Sequence, residues 1–159
     1  YRLLSGRSLI CGFYMNELLL KLLPRHDPHE QLFDRYAETL RTLGLKAENE
    51  AILRGFEKSL LKELGYALTL DREAETGSPV VAERRYQYVV ERGPVPADRD
   101  AGAIGVELIG QTLLDIQSDN YASALTQQQS KALMRHIINH HLGNQTLHTR
   151  QLLRDLQQL

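Results

Sequence analysis

The sequence of 159 residues has no tryptophan, three phenylalanines and a single cysteine. Cys11 alone cannot close an internal disulfide or build a cysteine zinc cluster. It sits in an apolar helical pattern, where a thiol serves as a small hydrophobe. No apolar run reaches the roughly 18 residues that a membrane-spanning helix needs. Arg2 and Arg7 near the start are followed by no signal-peptide cleavage pattern. Neither sign of charge dominates: 19 basic side chains stand against 20 acidic ones, for a formal net charge of −1. That argues against a strong nucleic-acid binder acting alone, because phosphate binding needs concentrated basic surface. Glycine-rich phosphate loops of the GxGxxG or GxxxxGK[ST] kind are absent, and no nucleophile triad has a local signature. No repeat or low-complexity tract occurs beyond a short glutamine run at 127–129.

What is present suits a packed domain. Apolar residues make up 42% and charged residues 25%, enough for a core within one domain of 1–159, or one domain with an appendage. The chain opens on Tyr1 inside a helical pattern, so the expectation is the C-terminal domain of a longer chain. The organising stretch is 52–70. Leu53, Phe56, Leu60 and Leu64 recur at spacings of three and four and form an apolar stripe. Arg54, Lys58 and Lys62 form a basic stripe on another face. Gly65 is the expected left-handed stop.

The spacing predicts a first helix over 2–23, with Leu3, Ile10, Phe13, Leu18, Leu20 and Leu22 too many for one narrow stripe. It is therefore expected to be buried on more than one side, with Gly6 and Gly12 as close approaches or weak spots. Pro24 ends it, and 25–29 is a loop. Pro28 suits the first turn of a second helix over 30–43, where Leu32, Phe33, Tyr36, Leu40 and Leu43 keep a helical period up to Gly44. The third helix covers about 47–64. Short connections imply antiparallel neighbours in a bundle.

Residues 71–102 read as a loop and hairpin insertion. The segment 71–83 is charged and carries Thr76-Gly77-Ser78-Pro79. Residues 85–91 alternate as a strand, 92–94 turn, and 95–97 pair back, with polar loop over 98–102. Helices follow over 112–118 and 127–142, the latter with Thr126 as N-cap. Asp119-Asn120 and Gly143-Asn144 are breaks. Thr149 is the expected cap of a last helix bearing Leu152, Leu153 and Leu156. The fold class is mainly α, a helical bundle with a small β-hairpin insertion.

Chemistry-bearing clusters are few. His136 and His140, four apart, have zinc-binding spacing, with His141 beside them. Ile137 stands where a HExxH site needs glutamate. His26 and His29 flank Asp27 in a surface loop. A metal-dependent helical enzyme using His136 and His140 is one alternative reading, and a purely structural scaffold is another. The basic pairs say more: Arg54 with Lys58 and Lys62, Arg150 with Arg154, and Lys131 with Arg135. Each is a solvated face with ion pairs such as Glu50–Arg54, or the basic rim of a groove for an acidic peptide.

Tyr14-Met15-Asn16-Glu17-Leu18-Leu19, then Leu32-Phe33-Asp34-Arg35-Tyr36, then Leu53-Arg54-Gly55-Phe56-Glu57 resemble, in order, the helical part of the bacterial recombination mediator RecO. Leu64-Gly65-Tyr66 and Tyr86-Gln87-Tyr88 are similar to the same family. So is Leu142-Gly143 followed by Thr149-Arg150-Gln151-Leu152-Leu153.

The resemblance implies a non-catalytic module of DNA repair and homologous recombination, cytoplasmic and nucleoid-associated, without cofactor. In that family an N-terminal OB-fold carries the main DNA contact. The family anneals complementary strands and works with RecR to load RecA on strands coated by single-stranded DNA-binding protein (SSB). Some members dock the acidic C-terminal tail of that protein, which ends in a phenylalanine and a free carboxylate. Arg54 stands where the family has an arginine, with Lys58, Lys62, Arg150 and Arg154 as further expected partner-binding residues. Many members carry a four-cysteine zinc finger after the third helix. Residues 71–101 here contain no cysteine, so no metal is expected, and the loop must be held by packing or be mobile.

Overall fold

The computed structural model describes residues 4, 6–26, 28–43, 49–98 and 105–157, with the backbone alone at 153, 156 and 157. The expected stop at Gly44, most of the expected loop 98–102, and the side chains of Leu3, Leu153 and Leu156 lie outside the described residues. The elements in chain order are α1 (Gly6–Leu22), α2 (Glu30–Leu43), α3 (Asn49–Glu63), β1 (Arg85–Val89), β2 (Gly93–Pro96), β3 (Val106–Ile109), α4 (Gly110–Gln117), α5 (Ala124–Leu142) and α6 (His148–Gln157). The chain is mainly α with a small antiparallel sheet. It forms two compact units, one of Tyr1–Leu64 with His141–Leu159, the other of Gly65–His140.

In the first unit α1 packs against α2, α3 and α6, and α2 against α3. Met15, Leu18, Leu32, Leu43, Phe56, Leu60 and Leu61 are its buried core. Tyr36 tilts against Phe56, with ring centroids 6.2 Å apart. Leu53, Phe56 and Leu60 are buried as their spacing predicts, but Leu64 is half-buried and Leu61 takes the interior place. Gly65 closes α3 in the left-handed region at φ 88°.

Two expectations for this unit are corrected. α1 buries one side only, through Gly12, Met15, Leu18 and Leu19; Phe13 and Leu20 are exposed, and so is Phe33 on α2. Gly12 explains which side faces in. A Cβ there would come within 3.4 Å of Leu40, so α2 approaches α1 closely at this point. Pro28 precedes α2 rather than lying in its first turn, and His29 is no bland loop residue. Its Nδ1 hydrogen-bonds the Glu63 carboxylate at 3.2 Å, tying the loop to the end of α3.

The N-terminus of α6 is held from α1. Glu17 accepts the His148 N–H at 2.8 Å, the Thr149 N–H at 3.0 Å and the Thr149 hydroxyl at 2.7 Å. Lys21, one turn on, pairs with the same carboxylate at 3.1 Å and donates to the Thr146 carbonyl. Thr149 is thus already helical, and the cap is a carboxylate from another helix, which meets the orphan N–H groups and the positive end of the helix dipole together. Burial alone would raise the Glu17 pKa; the bonds from Thr149 and His148 outweigh it and pull it down from 4.5 to about 2.

In the second unit β1 is central, with the order β2-β1-β3. Tyr86 pairs with Pro96 and Tyr88 with Pro94 across the β1–β2 hairpin; Gln87 pairs with Glu107 across β1–β3. Two prolines are tolerated in β2 because it is an edge strand. β3 is unmarked in the sequence pattern, and it turns a hairpin into a three-stranded sheet against which α4 packs. Tyr86 and Tyr88 are buried with their hydroxyls accepting the N–H of Val81 at 2.9 Å and of Thr69 at 3.1 Å. Burial pushes the Tyr88 hydroxyl up to about 12.

The cysteine-free loop is held by a buried carboxylate. Glu73 accepts from the Thr76 hydroxyl at 2.7 Å and from Arg84 at 3.3 Å, while Arg72 bridges Pro79. α5 starts at Ala124, so Thr126 is not its N-cap; the Thr126 hydroxyl instead donates to the buried Asp115 of α4 at 2.6 Å.

Two outcomes follow from these contacts. At Gly110 a Cβ would run into the Val81 carbonyl oxygen. Gly110→Ala should cost the upper end of the roughly 1–3 kcal/mol typical of overpacking, read as a lower urea midpoint. Glu17 has a depressed folded-state pKa, so its contribution is complete above 4.5 and is lost as pH falls towards about 2. Glu17→Gln should lower stability at neutral pH by about 2 kcal/mol and should flatten that acid limb in pH-dependent unfolding curves.

Candidate docking site

α3 is enclosed on every side along one stretch: Leu53, Arg54, Gly55, Phe56 and Glu57 are all buried. That corrects the simple picture of a basic stripe on an open face. Arg54 is only 7% exposed. Burying a guanidinium requires a counter-charge, and Glu57, one turn on and 1% exposed, supplies it. Arg54 Nε lies 2.5 Å from Glu57 Oε1. The contact is a buried ion pair at hydrogen-bond distance, while Arg54 Nη1 has no aligned acceptor among the described residues. The second carboxylate oxygen of Glu57 accepts the Tyr14 hydroxyl of α1 at 2.7 Å.

The electrostatics agree with this arrangement. Burial would lower the Arg54 pKa, but the charge of Glu57, followed by that of Tyr14, the Glu57 hydrogen bond and the charge of Glu50, raises it on balance. Tyr14 is pushed well above its usual value by burial first and by Glu57 second, with Arg54 and Arg150 acting the other way. Arg150 of α6 is therefore close enough to act on the same tyrosine. The charges of two sequence-predicted cations from different helices, Arg54 and Arg150, are both felt at Tyr14. Gly55 adds a third neighbour: a Cβ there would lie 3.4 Å from Arg35 Nη2 of α2.

The remaining expected residues are placed more loosely. Lys58 is half-buried and Lys62 exposed on α3, and Arg154 is exposed on α6. Lys131 and Arg135 are exposed on α5, in the other unit. Among the described residues, no close trio of metal-ligating side chains includes His136. His140 instead lies 3.9 Å from the Glu91 carboxylate at the hairpin turn. The spacing of His136 and His140 thus does not become a shared site. No helix among the described residues is long and apolar enough to cross a membrane.

Sequence reasoning did not single out Tyr14, Glu57, Glu17 or Arg35, although all four belong to the quoted motifs. Their signal was the motifs themselves. Three stretches far apart in sequence, around residues 14–19, 53–57 and 149–153, supply Tyr14, Glu17, Arg54, Glu57, Thr149 and Arg150 to one side of α1.

The comparisons with known proteins agree with this convergence. Residues 4–151 match the family model described as recombination protein O C terminal. The chain is 49% identical over 156 residues to the DNA repair protein RecO of Nitrosospira multiformis, covering 98% of this chain and 64% of that protein. It is 48% identical to the protein of the same name from Aromatoleum aromaticum and 44% identical to that of Azoarcus sp., covering 99% of this chain and 65% of each of them. The chain thus spans a little under two thirds of the length of these relatives. With the family model matching nearly all of it, the chain belongs to the recombination protein O C-terminal family.

Proposed function

We propose that this chain is a non-catalytic module of DNA repair and homologous recombination that docks an acidic peptide tail. The relatives' name, DNA repair protein RecO, supports the process. The observation that carries the docking is the half-buried Arg150 of α6, whose charge is felt at Tyr14 together with that of the internally paired Arg54. A terminal carboxylate pairs with a guanidinium that solvent reaches, as it reaches Arg150. The apolar surface that an aromatic end residue needs is offered in the same unit by the exposed Phe13 and Leu20 of α1.

The partner of this chemistry is the tail of single-stranded DNA-binding protein, acidic and ending in phenylalanine. In this reading Lys58, Lys62 and Arg154 form the outer rim for the acidic residues upstream. DNA contact falls mainly to an OB-fold that would precede the helical domain, and the whole protein anneals strands and loads RecA with RecR in the cytoplasm, at the nucleoid.

Calorimetry at low salt with an acidic, Phe-terminated peptide tests the reading. The expected affinity is micromolar, about −8 kcal/mol, weakening as salt screens the rim charges. Arg150→Ala should weaken binding roughly tenfold, about 1.4 kcal/mol. Arg54→Ala strands Glu57 at a stability cost of about 3–5 kcal/mol, so Arg150→Ala is the cleaner variant. Absence of binding by the unaltered chain would overturn the docking.

A further inference from the structure

We propose that Glu91 in the β1–β2 turn and the imidazoles of His140 and His141 in the last turn of α5 form a binding site for a divalent cation of the zinc class. The site is independent of the docking reading above and shares no residue with it.

One donor atom from each of these three side chains lies within 4.8 Å of the other two. His140 Nε2 is 3.9 Å from Glu91 Oε1, too far for a hydrogen bond. Ligands around a tetrahedral zinc stand about 3.3–3.4 Å apart, because each metal–donor bond is about 2.0–2.1 Å. The observed spacing is near that value. Glu91 and His140 are both more than half exposed, so a cation reaches them from solvent and small side-chain rotations close the remaining gap. The turn supplies a second observation. The Arg92 N–H donates to the Val89 carbonyl at 3.0 Å, which closes a four-residue turn with Glu91 in its third position. Glu91 sits there in the left-handed region, at φ 66°. Glycine or asparagine is the usual occupant of such a position. A glutamate there carries backbone strain, and strain of this kind collects at functional sites. The strained residue is the one that brings its carboxylate to His140. Two imidazole nitrogens and one carboxylate oxygen suit zinc and its first-row neighbours, whereas magnesium and calcium take oxygen donors. Three protein ligands leave the fourth position of a tetrahedral zinc to water. Bound there, the ion ties the hairpin turn to the end of α5.

Calorimetry with zinc chloride, on the chain free of any histidine tag, tests the site, and magnesium chloride serves as the control. Zinc should bind as a single ion and raise the thermal midpoint as its concentration rises; magnesium should do neither. His140→Ala and Glu91→Gly should each weaken zinc by at least about tenfold. His136→Ala should leave zinc binding unchanged, since among the described residues His136 belongs to no such trio. Glu91→Gly carries a further readout of opposite sign. Glycine adopts the left-handed position without strain, so the metal-free thermal midpoint should rise while the zinc response is lost. In NMR spectra the ring resonances of His140 and His141 should move with zinc, and those of His136 should not. No zinc binding by the unaltered chain overturns the site. Zinc binding that survives Glu91→Gly overturns it as well, and its loss in His136→Ala would then assign the ion to the His136–His140 spacing.

Discussion

Removing a guanidinium from water costs several kcal/mol after relaxation, and an unpaired one is not tolerated. The middle of α3 contains such a group, in a stretch of five consecutive buried residues. Much of the first unit can be understood from the need to meet it. Glu57 must be near, and its own second oxygen must have a donor, which Tyr14 provides from α1. The tyrosine fixes how α1 is turned towards α3. Glu17 and Lys21 follow Tyr14 at spacings of three and four, so they share its side of the helix. There they hold the start of α6 and the chain leading into it. α1 thus carries a polar seam beside its apolar face, and each member of the seam meets a different partner.

This seam is more demanding than the apolar core around it. Apolar side chains of similar size exchange at modest cost. A buried carboxylate needs its donors in place, and leaving one unpaired costs more than the formed bond contributes. The second unit applies the same constraint differently. Its polar atoms are met by tyrosine hydroxyls on loop N–H groups and by Glu73 inside the charged loop before β1. Glu73, Thr76 and Arg84 hold that loop through side-chain bonds, beside backbone bonds such as the Glu73 N–H to the Ser78 carbonyl at 2.8 Å.

Legibility was uneven, for reasons visible at particular residues. Helical period and glycine stops located α2, α3 and α5 to within a few residues, because apolar spacing and backbone freedom at Gly65 and Gly143 are local properties. Caps were misjudged at Thr126 and Thr149. A threonine before an apolar run is a local cap signal, but in both cases a carboxylate distant in sequence claimed the hydroxyl. β3 escaped notice because a four-residue strand carries too little alternation to register before its partner is known. Phe13 and Leu20 were counted inward among the many apolar residues of α1, and Phe33 by the helical period of α2; all three are exposed, and Gly12 marks the side of α1 that meets α2.

By itself the sequence determined the fold class, the positions of most helices and, through its motifs, the family. These depend on residue type and on spacing within one element. Only the tertiary structure decided that Arg54 is enclosed rather than displayed and that it is paired with Glu57, which Tyr14 in turn meets. Whether a charge on a helix meets water or another side chain depends on what packs over it, and here α1 brings Tyr14 to Glu57 from 43 residues away.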